Sequence, residues 1–218
     1  MADIPDREKH ESTFRNALTR MMAKHRKELE RIAGWPPDLD RVPAEFWVRV
    51  EEDLRKQNEA ALLLLFMLTA ARHGVDGEAG RQLARSYVAG RSASVASRFA
   101  TNSRERLETL QKDITTTTTV ATKAAFRGRL SSILGPDRAD SLAVTETTAA
   151  TSAGSAAAVA ARGLVSESDR WITENDDRVC RICNPLHRTR RDNWARLFPL
   201  GPPAHVRCRC WLKYSEVS

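Results

Sequence analysis

The sequence lacks an apolar run long enough to cross a membrane. Its longest such run, Ala60 to Ala71, has twelve residues and is closely flanked by charges, whereas a spanning helix needs about 20 apolar residues. The segment Met1 to Glu8 contains no apolar stretch of the kind found in signal peptides. We therefore expect no secretory signal and no membrane partner.

Cysteine is absent before Cys180, and aromatic residues make up only 6% of the chain. All four cysteines then fall within 31 residues. In a chain without a secretory signal, such crowding favours metal binding over disulfides. The chain also has no internal repeat, which excludes a repeat array. Its 218 residues suffice for one domain or two small ones.

The composition is basic. The 35 Lys and Arg residues exceed the 28 Asp and Glu residues, which gives a formal charge of +7 and a pI of about 9.6. Such an excess favours association with nucleic acid or another polyanion through counterion release. Because many acids are interspersed, a basic, solvated surface without a specific polyanion partner is an equally good interpretation.

Hydrophobic periodicity predicts helices through most of the chain. Apolar residues at three- and four-residue steps predict a first helix over 7–33. Pro43 suits the first turn of a second helix, which ends near His73. The other predicted helices cover 76–99, 104–113 with a cap at 101–103, 120–134 and 136–163. We interpret Thr115–Thr119 as a joint between helices, because β-branched residues disfavour helix nucleation.

The last predicted helix, 136–163, is rich in Ala, Ser, Thr and Gly, so its surface suits only a closely packed neighbour. Glu146 is its only acid after Asp140, and the pattern favours a solvated Glu146 over a specific ion pair. Beyond this helix, apolar and polar residues alternate over Arg170–Thr173 and Val206–Tyr214, which predicts two short strands.

These patterns predict a mainly α chain with a small C-terminal β-containing, zinc-stapled lobe, an α+β fold. We divide the chain where its composition changes. The predicted parts are a helical N-terminal region (1–113), a small-residue helical hairpin (114–163) and a Cys/His-rich lobe (164–218).

The lobe contains a pattern of zinc ligands. Zinc prefers four tetrahedral N or S ligands, with sulfur at about 2.3 Å, and Cys180-x-x-Cys183 supplies two thiolates from one turn. The Cα atoms of Cys208 and Cys210 would lie about 7 Å apart on a strand, which is wide for two ligands of one ion unless the strand bends. The favoured ligands are therefore one of these two together with Cys180, Cys183 and His205. Four protein ligands leave no open position, so the site would be structural and would couple folding to metal.

Other interpretations of the cysteines stay open. Coordination by all four cysteines, with His205 outside, competes closely with the mixed set. The cysteines could also form two disulfides, or stay reduced in a core. A Cys–His nucleophile pair using His205 or His187 has no accompanying oxyanion motif, so we expect no enzyme activity.

Arginines surround the cysteines. Basic residues interleaved with a tryptophan, Trp194, suit a polyanion-binding surface. The alternative is that the arginines pair internally with nearby acids at 169, 174, 176 and 177. The candidate nucleic-acid-binding residues are Arg188, Arg190, Arg191, Arg196, Arg207 and Arg209.

The order of these residues resembles a known family signature. Trp171, Asp177 and Cys180-x-x-Cys183, followed by Pro202-Pro203-x-His205-x-x-Cys208-Arg-Cys210, resemble the C-terminal signature of the phage head morphogenesis family, the minor head proteins similar to the F protein of phage Mu. The stretch 144–154 resembles the family's preceding helix, in which Arg-Thr-Glu is usual. Here Val144 replaces the Arg and Glu146 is retained. The resemblance covers about residues 140–212 and implies structural roles for Trp171, Asp177, Glu146, Pro202 and Pro203.

The resemblance implies a structural virion protein without catalytic activity. Its implied partners are the portal protein or the major capsid protein, in several copies at one vertex, and packaged double-stranded DNA bound without sequence preference. It would aid head assembly, DNA packaging or DNA delivery inside the head or at the portal vertex, after synthesis in the host cytoplasm. The main alternative is a free zinc-containing nucleic-acid-binding regulator, and a further one is a Cys/His hydrolase or nuclease.

Overall fold

The computed structural model describes residues 4–116 and 122–215. The helices are α1 (Arg7–Ala33), α2 (Ala44–Arg72), α3 (Gly77–Thr116), α4 (Lys123–Ile133), α5 (Pro136–Ala161) and the short α6 (Arg191–Trp194). Strands β1 (Arg170–Ile172) and β2 (Trp211–Lys213) form an antiparallel pair, in which Trp171 lies opposite Leu212. Short 3₁₀ turns cover Leu39–Arg41 and Asn184–Leu186. The predicted fold class, mainly α with a small C-terminal sheet, is confirmed.

Local sequence signals set several helix boundaries. α1 coincides with the predicted range 7–33 and ends before Gly34, whose φ of +70° is a left-handed conformation that glycine adopts easily. α2 begins directly after Pro43. α5 begins with Pro136, because the first turn of a helix does not need the N–H that proline lacks.

The prediction of two helices over 76–99 and 104–113 is wrong. α3 is one continuous helix of 40 residues, and the predicted cap at 101–103 lies inside it. Ser103 is fully buried, and its hydroxyl donates to the carbonyl oxygen of Phe99 at 2.6 Å. This bond to the preceding turn lets a serine stay within a helix, so the cap-like residues do not end it.

The predicted threonine joint is described only in part. Thr115 and Thr116 are the last two residues of α3, and their hydroxyls donate to carbonyl oxygens of the preceding turn. The joint is therefore wrong at these two positions, and residues 117–119 lie outside the described residues. α4 begins after Thr122, whose hydroxyl accepts from the Ala125 N–H at 3.1 Å and caps the helix.

The described residues form two compact units. The all-helical unit comprises residues 14–59 and 90–140. The cysteine-containing unit comprises residues 4–13, 60–89 and 141–215, so it combines segments far apart in the sequence. The three-part division predicted from composition stays a prediction.

The all-helical unit buries a histidine. His25 is 1% exposed, its Nε2 lies 3.0 Å from Asp53 Oδ2, and its ring meets Phe46 edge to face. Burial lowers the pKa of His25, although the hydrogen bond and charge of Asp53 act in the opposite direction. Burial therefore favours the neutral form of this imidazole.

Small residues pack α5 closely against α2 within the cysteine-containing unit. A Cβ on Gly154 would overlap the Phe66 carbonyl oxygen and Thr69 Oγ1, and would lie 3.0 Å from Phe66 Cα. This confirms the expectation that the helix needs a close neighbour. Glu146, on the same helix, is 3% exposed, so its predicted solvation is wrong. Small neighbouring residues bring this part of α5 into the interior, and its side chain with it.

Candidate metal centre

Two tight turns contain the predicted ligands. In the Cys180 turn (180–183), the Cys183 N–H donates to Cys180 Sγ at 3.4 Å, as the residues between them fold back. In the His205 turn (205–208), the Cys208 N–H donates to the His205 carbonyl oxygen at 3.2 Å. Each turn therefore presents two potential ligands from four consecutive residues.

The His205 turn corrects the strand predicted over Val206–Tyr214. Val206 is 66% exposed, and Arg207 has a φ of +62°, so the extended conformation does not begin there. Pairing with β1 is confined to Trp211–Lys213. The Sγ atoms of Cys208 and Cys210 lie within 4.8 Å of each other, so both thiols can approach one ion although the Cα atoms of alternate strand residues are about 7 Å apart.

The two turns meet at their ligand atoms. His205 Nε2 lies 2.8 Å from Cys180 Sγ and 3.1 Å from Cys183 Sγ, and Cys183 Sγ lies 3.8 Å from Cys208 Sγ. The atoms form two groups whose members all lie within 4.8 Å of one another: Cys180, Cys183 and His205, and Cys183, Cys208 and Cys210. Cys183 belongs to both groups. All five predicted ligands are thus brought together in an arrangement compatible with a metal ion.

One sulfur–sulfur separation fits tetrahedral coordination. With metal–sulfur bonds of about 2.3 Å, two sulfur ligands of a tetrahedron lie about 3.8 Å apart, which matches the separation of Cys183 and Cys208. It is far longer than a disulfide bond of about 2.05 Å, and all four cysteines are free thiols. The disulfide interpretation is therefore not the arrangement in this structure.

The buried thiols have different acidities. Hydrogen bonds donated by Cys183 and then Cys210 lower the pKa of Cys208, and the backbone N–H groups of Cys210 and Ala204 add to this effect. The bonds that Cys183 donates to Cys208 and Cys210 raise the pKa of Cys183. Cys208 is therefore the thiol of this group whose ionisation is most favoured, and thiolate is the form in which cysteine binds metals.

His205 is oriented for ligation through Nε2. Its Nδ1 lies 2.6 Å from the Val206 carbonyl oxygen, so Nδ1 is the nitrogen that donates and Nε2 keeps its lone pair for the cysteine cluster. His187 is placed differently: its Nδ1 accepts from the Thr173 N–H at 3.2 Å. Of these two histidines, His205 is the one that lies among the thiols.

Buried aromatic rings surround the cluster. Trp171 is fully buried, with its ring centroid 6.1 Å from that of Trp194 and 5.5 Å from that of Phe198. Trp194 Nε1 donates to the Asp169 carbonyl oxygen at 3.2 Å. The Asp169 carboxylate, which is also buried, accepts from the N–H groups of Ser166 and Ser215. The bonds from Trp194 and Ser215 connect these residues to the loop before β1.

The other residues with an implied structural role differ in burial. Pro202 is buried and Pro203 is half-buried, whereas Asp177 is exposed. The neighbouring Asp176 forms the principal contact, because Arg209 Nη2 lies 2.7 and 2.8 Å from its two carboxylate oxygens. This hydrogen bond holds the pKa of Asp176 at about 2.

The six candidate arginines fall into three groups. Arg209 pairs with Asp176, and Arg191 Nη1 lies 3.8 Å from the Asp169 carboxylate. Arg207 is exposed, but its Nε donates to Ser141 Oγ at 2.8 Å. The remaining arginines, which are exposed, are Arg188, Arg190 and Arg196. Internal pairing thus describes Arg191 and Arg209, while the exposed three are accessible to a partner.

Sequence reasoning missed the residues of α5 that hold the His205 turn. Thr145 Oγ1 accepts the Arg207 N–H at 2.8 Å, Ser141 Oγ accepts from the Arg207 side chain, and the Thr148 hydroxyl donates to the Cys208 carbonyl oxygen. Ser141, Thr145 and Thr148 are spaced i, i+4, i+7, which places them on one helix face. That spacing is visible in the sequence, but it does not show that this face contacts the His205 turn.

Comparisons with known proteins leave the site to be interpreted from its own chemistry. No protein-family model, curated protein or solved structure gives a significant match to the chain. Across residues 4–116 and 122–215, no helix combines the length and apolarity that a membrane span requires.

Proposed function

We propose that this chain is a structural minor head protein of the tailed-phage type, with a C-terminal lobe closed by a zinc ion. One observation carries the proposal. The C-x-x-C and P-P-x-H-x-x-C-R-C segments, whose order resembles the family signature, converge so that His205 Nε2 lies within 3.1 Å of both Cys180 Sγ and Cys183 Sγ. This convergence supports treating the two segments as halves of one site.

The donor set supports zinc as the metal. Thiolates with one imidazole are ligands that zinc prefers in structural sites. We assign Cys180, Cys183, His205 and Cys208 as the ligands, because Cys208 lies at the tetrahedral distance from Cys183 and hydrogen bonds from its neighbours lower its pKa. Cys210 would then support Cys208 by hydrogen bonding. Four protein ligands close the site, so the ion would crosslink the lobe rather than act on a substrate.

The proposed contact surface is the segment 188–200, which follows the 3₁₀ turn Asn184–Leu186. Arg188, Arg190 and Arg196 would bind phosphates of packaged DNA without reading its sequence. Leu197 and Leu200 are 68% and 89% exposed in the same segment. Such apolar exposure suits contact with another protein, which we assign to the portal or the capsid.

Metal content tests the zinc assignment. We expect the purified full-length chain to contain one tightly bound zinc ion, and chelation to unfold the lobe, because metal binding and folding are coupled in such sites. Elemental analysis together with circular dichroism in chelator measures both effects. A chain that contains no zinc and keeps its fold in chelator would contradict the assignment.

Charge substitution tests the DNA contact. Changing Arg188, Arg190 and Arg196 together to alanine should weaken binding to duplex DNA and lower the slope of log affinity against log salt by about 3, since each lost phosphate contact removes about 0.9. A triple substitution on α3, Arg81→Ala with Arg98→Ala and Arg104→Ala, changes the net charge equally and serves as the control. If the two triple variants lost the same DNA affinity, the effect would be due to net charge and not to contacts of Arg188, Arg190 and Arg196.

Location tests the head assignment. We expect the chain in purified virions, at low copy number and associated with the portal after the DNA is removed. Mass spectrometry of intact and emptied particles measures this. Absence from particles, combined with sequence-selective duplex binding by the isolated chain, would favour the free regulator instead.

A further inference from the structure

A chain of hydrogen bonds joins the start of α1 to the His205 turn. Arg7 is 6% exposed, and its Nη2 donates to Thr148 Oγ1 at 2.5 Å. The same hydroxyl donates to the Cys208 carbonyl oxygen. A threonine hydroxyl has one proton and accepts through its lone pairs, so the Arg7 bond leaves that proton directed at Cys208. Three segments of the cysteine-containing unit therefore meet at one hydroxyl group.

The hydroxyl groups of α5 hold both sides of Cys208. Thr145 accepts the N–H of Arg207, just before Cys208, and Thr148 donates to the carbonyl group of Cys208 itself. These bonds orient the peptide groups on either side of the ligand. Since a sulfur atom must be placed within a few tenths of an ångström to bind a metal well, the orientation of this backbone affects the affinity of the site.

Residues 4–13 include the Arg7 end of the same contact. Ile4 is 1% exposed and packs in the core with Leu62, Phe66 and Ala150. Arg7 follows as a buried cation, which is costly unless it is hydrogen-bonded. The bond to Thr148 therefore favours the docked position of this segment.

We propose that Thr148 and Arg7 are positioning residues of the metal site, and that they link metal binding to the docking of residues 4–13. The proposal rests on the metal site proposed above. Metal binding fixes the His205 turn, the turn fixes the Thr148 hydroxyl, and the hydroxyl receives Arg7. Such linkage is reciprocal. If loss of the metal weakens the docking of residues 4–13 by a given factor, then displacement of these residues by a partner lowers the metal affinity by the same factor.

Substitution of Thr148 tests the positioning role in the full chain. Thr148→Val keeps the side-chain shape but removes the hydroxyl, and should weaken Co²⁺ binding about 10- to 100-fold, the range observed when groups that support metal ligands are removed. Thr148→Ser restores the hydroxyl and should restore affinity. Thr151→Val is the matched control, because Thr151 is equally buried on α5 and its hydroxyl donates to carbonyl oxygens of its own helix. Titration of Co²⁺, followed by its visible absorption, gives the affinities.

Hydrogen exchange tests the link in the unmodified chain. Amides of residues 7–13 should exchange faster after the metal is removed, whereas those of α4, in the all-helical unit, should not change. In Thr148→Val the exchange of residues 7–13 should no longer respond to metal. If Thr148→Val and Thr151→Val bound Co²⁺ with equal affinity, the linkage would be overturned and the metal site would not. The same holds if removal of the metal did not change hydrogen exchange at residues 7–13 of the unmodified chain. An unmodified chain that binds no Co²⁺ would overturn the metal site, and the linkage with it.

Discussion

Replacing Gly154 by alanine tests the closest helix contact in the cysteine-containing unit. The added Cβ would overlap the Phe66 carbonyl oxygen and Thr69 Oγ1, and would lie 3.0 Å from Phe66 Cα. Two of these three atoms belong to the backbone of α2, so no side-chain rotation relieves the clash. The Thr69 hydroxyl is itself bonded to carbonyl oxygens of its helix, at 3.0 Å to Leu65 and 2.9 Å to Phe66. α5 and α2 must therefore separate to admit a methyl group.

The size of the effect follows from two opposing contributions. Forcing packed elements apart costs about 3 kcal/mol, while alanine is favoured over glycine inside a helix by about 1 kcal/mol. We therefore expect Gly154→Ala to destabilise the fold by about 2 kcal/mol. Gly90 in α3 and Gly128 in α4 are matched controls, because a Cβ at either position meets nothing within 4 Å. Alanine at either control position should stabilise the fold by about 1 kcal/mol.

Denaturant unfolding at a fixed, saturating zinc concentration measures these differences, because ligand concentration otherwise shifts the apparent stability. Circular dichroism follows the helices, and the unfolding free energy is compared among the three variants and the unmodified chain. If Gly154→Ala were as stable as Gly90→Ala, the inferred contact between α5 and α2 would be refuted. A loss well above the expected value would mean that the two helices are unable to separate locally.

Three further predictions concern the site and the histidine core. Cys183→Ser should weaken zinc binding more than Cys180→Ser, since only Cys183 belongs to both ligand groups; competition with a chromophoric chelator ranks the two, and the opposite order would argue against a shared ligand. Burial lowers the pKa of His25, so as the pH falls this histidine is protonated in the unfolded chain before it is protonated in the folded chain. The contribution of neutral His25 to stability is therefore complete above about pH 6.5 and decreases as the pH falls. His25→Gln should flatten the stability profile between about pH 7 and 5, and an unchanged slope would assign the acid sensitivity elsewhere. Asp176→Asn should lower the melting temperature of the lobe while Asp177→Asn should not, because only Asp176 forms the paired contact with arginine; equal shifts would contradict that assignment.

The parts of the fold that depend on neighbouring residues were predictable from the sequence. The bounds of α1 follow from its apolar periodicity and from the glycine and prolines behind it, and Pro136 marks the start of α5. The close approach of the Cys and His side chains within each turn could also be predicted, since their spacing reflects the reach of a four-residue turn. In these cases the physical cause lies within a few residues of its effect.

The parts that depend on distant residues were not predictable. Ser103 is of a residue type that caps helices, but it is buried inside α3. Its burial depends on tertiary packing. Glu146 was predicted to be solvated, because the residues of its own helix do not show that this side of the helix is covered by other segments. The role of Thr148 requires two partners, Arg7 and Cys208, which lie 141 and 60 residues away. Each of these features is set by which segments meet, and a local pattern contains no such information.

The separation between Arg7 and Thr148 has a consequence for the order of events during synthesis. Residues 4–13 leave the ribosome long before the His205 turn exists, so their core position cannot be completed when they are made. The all-helical unit needs only residues up to 140, and it is free to fold earlier. Contacts across 141 residues form slowly because the intervening chain must first be ordered. The cysteine-containing unit is thus the last of the two to assemble, because its cysteines and His205 are made after residues 14–140.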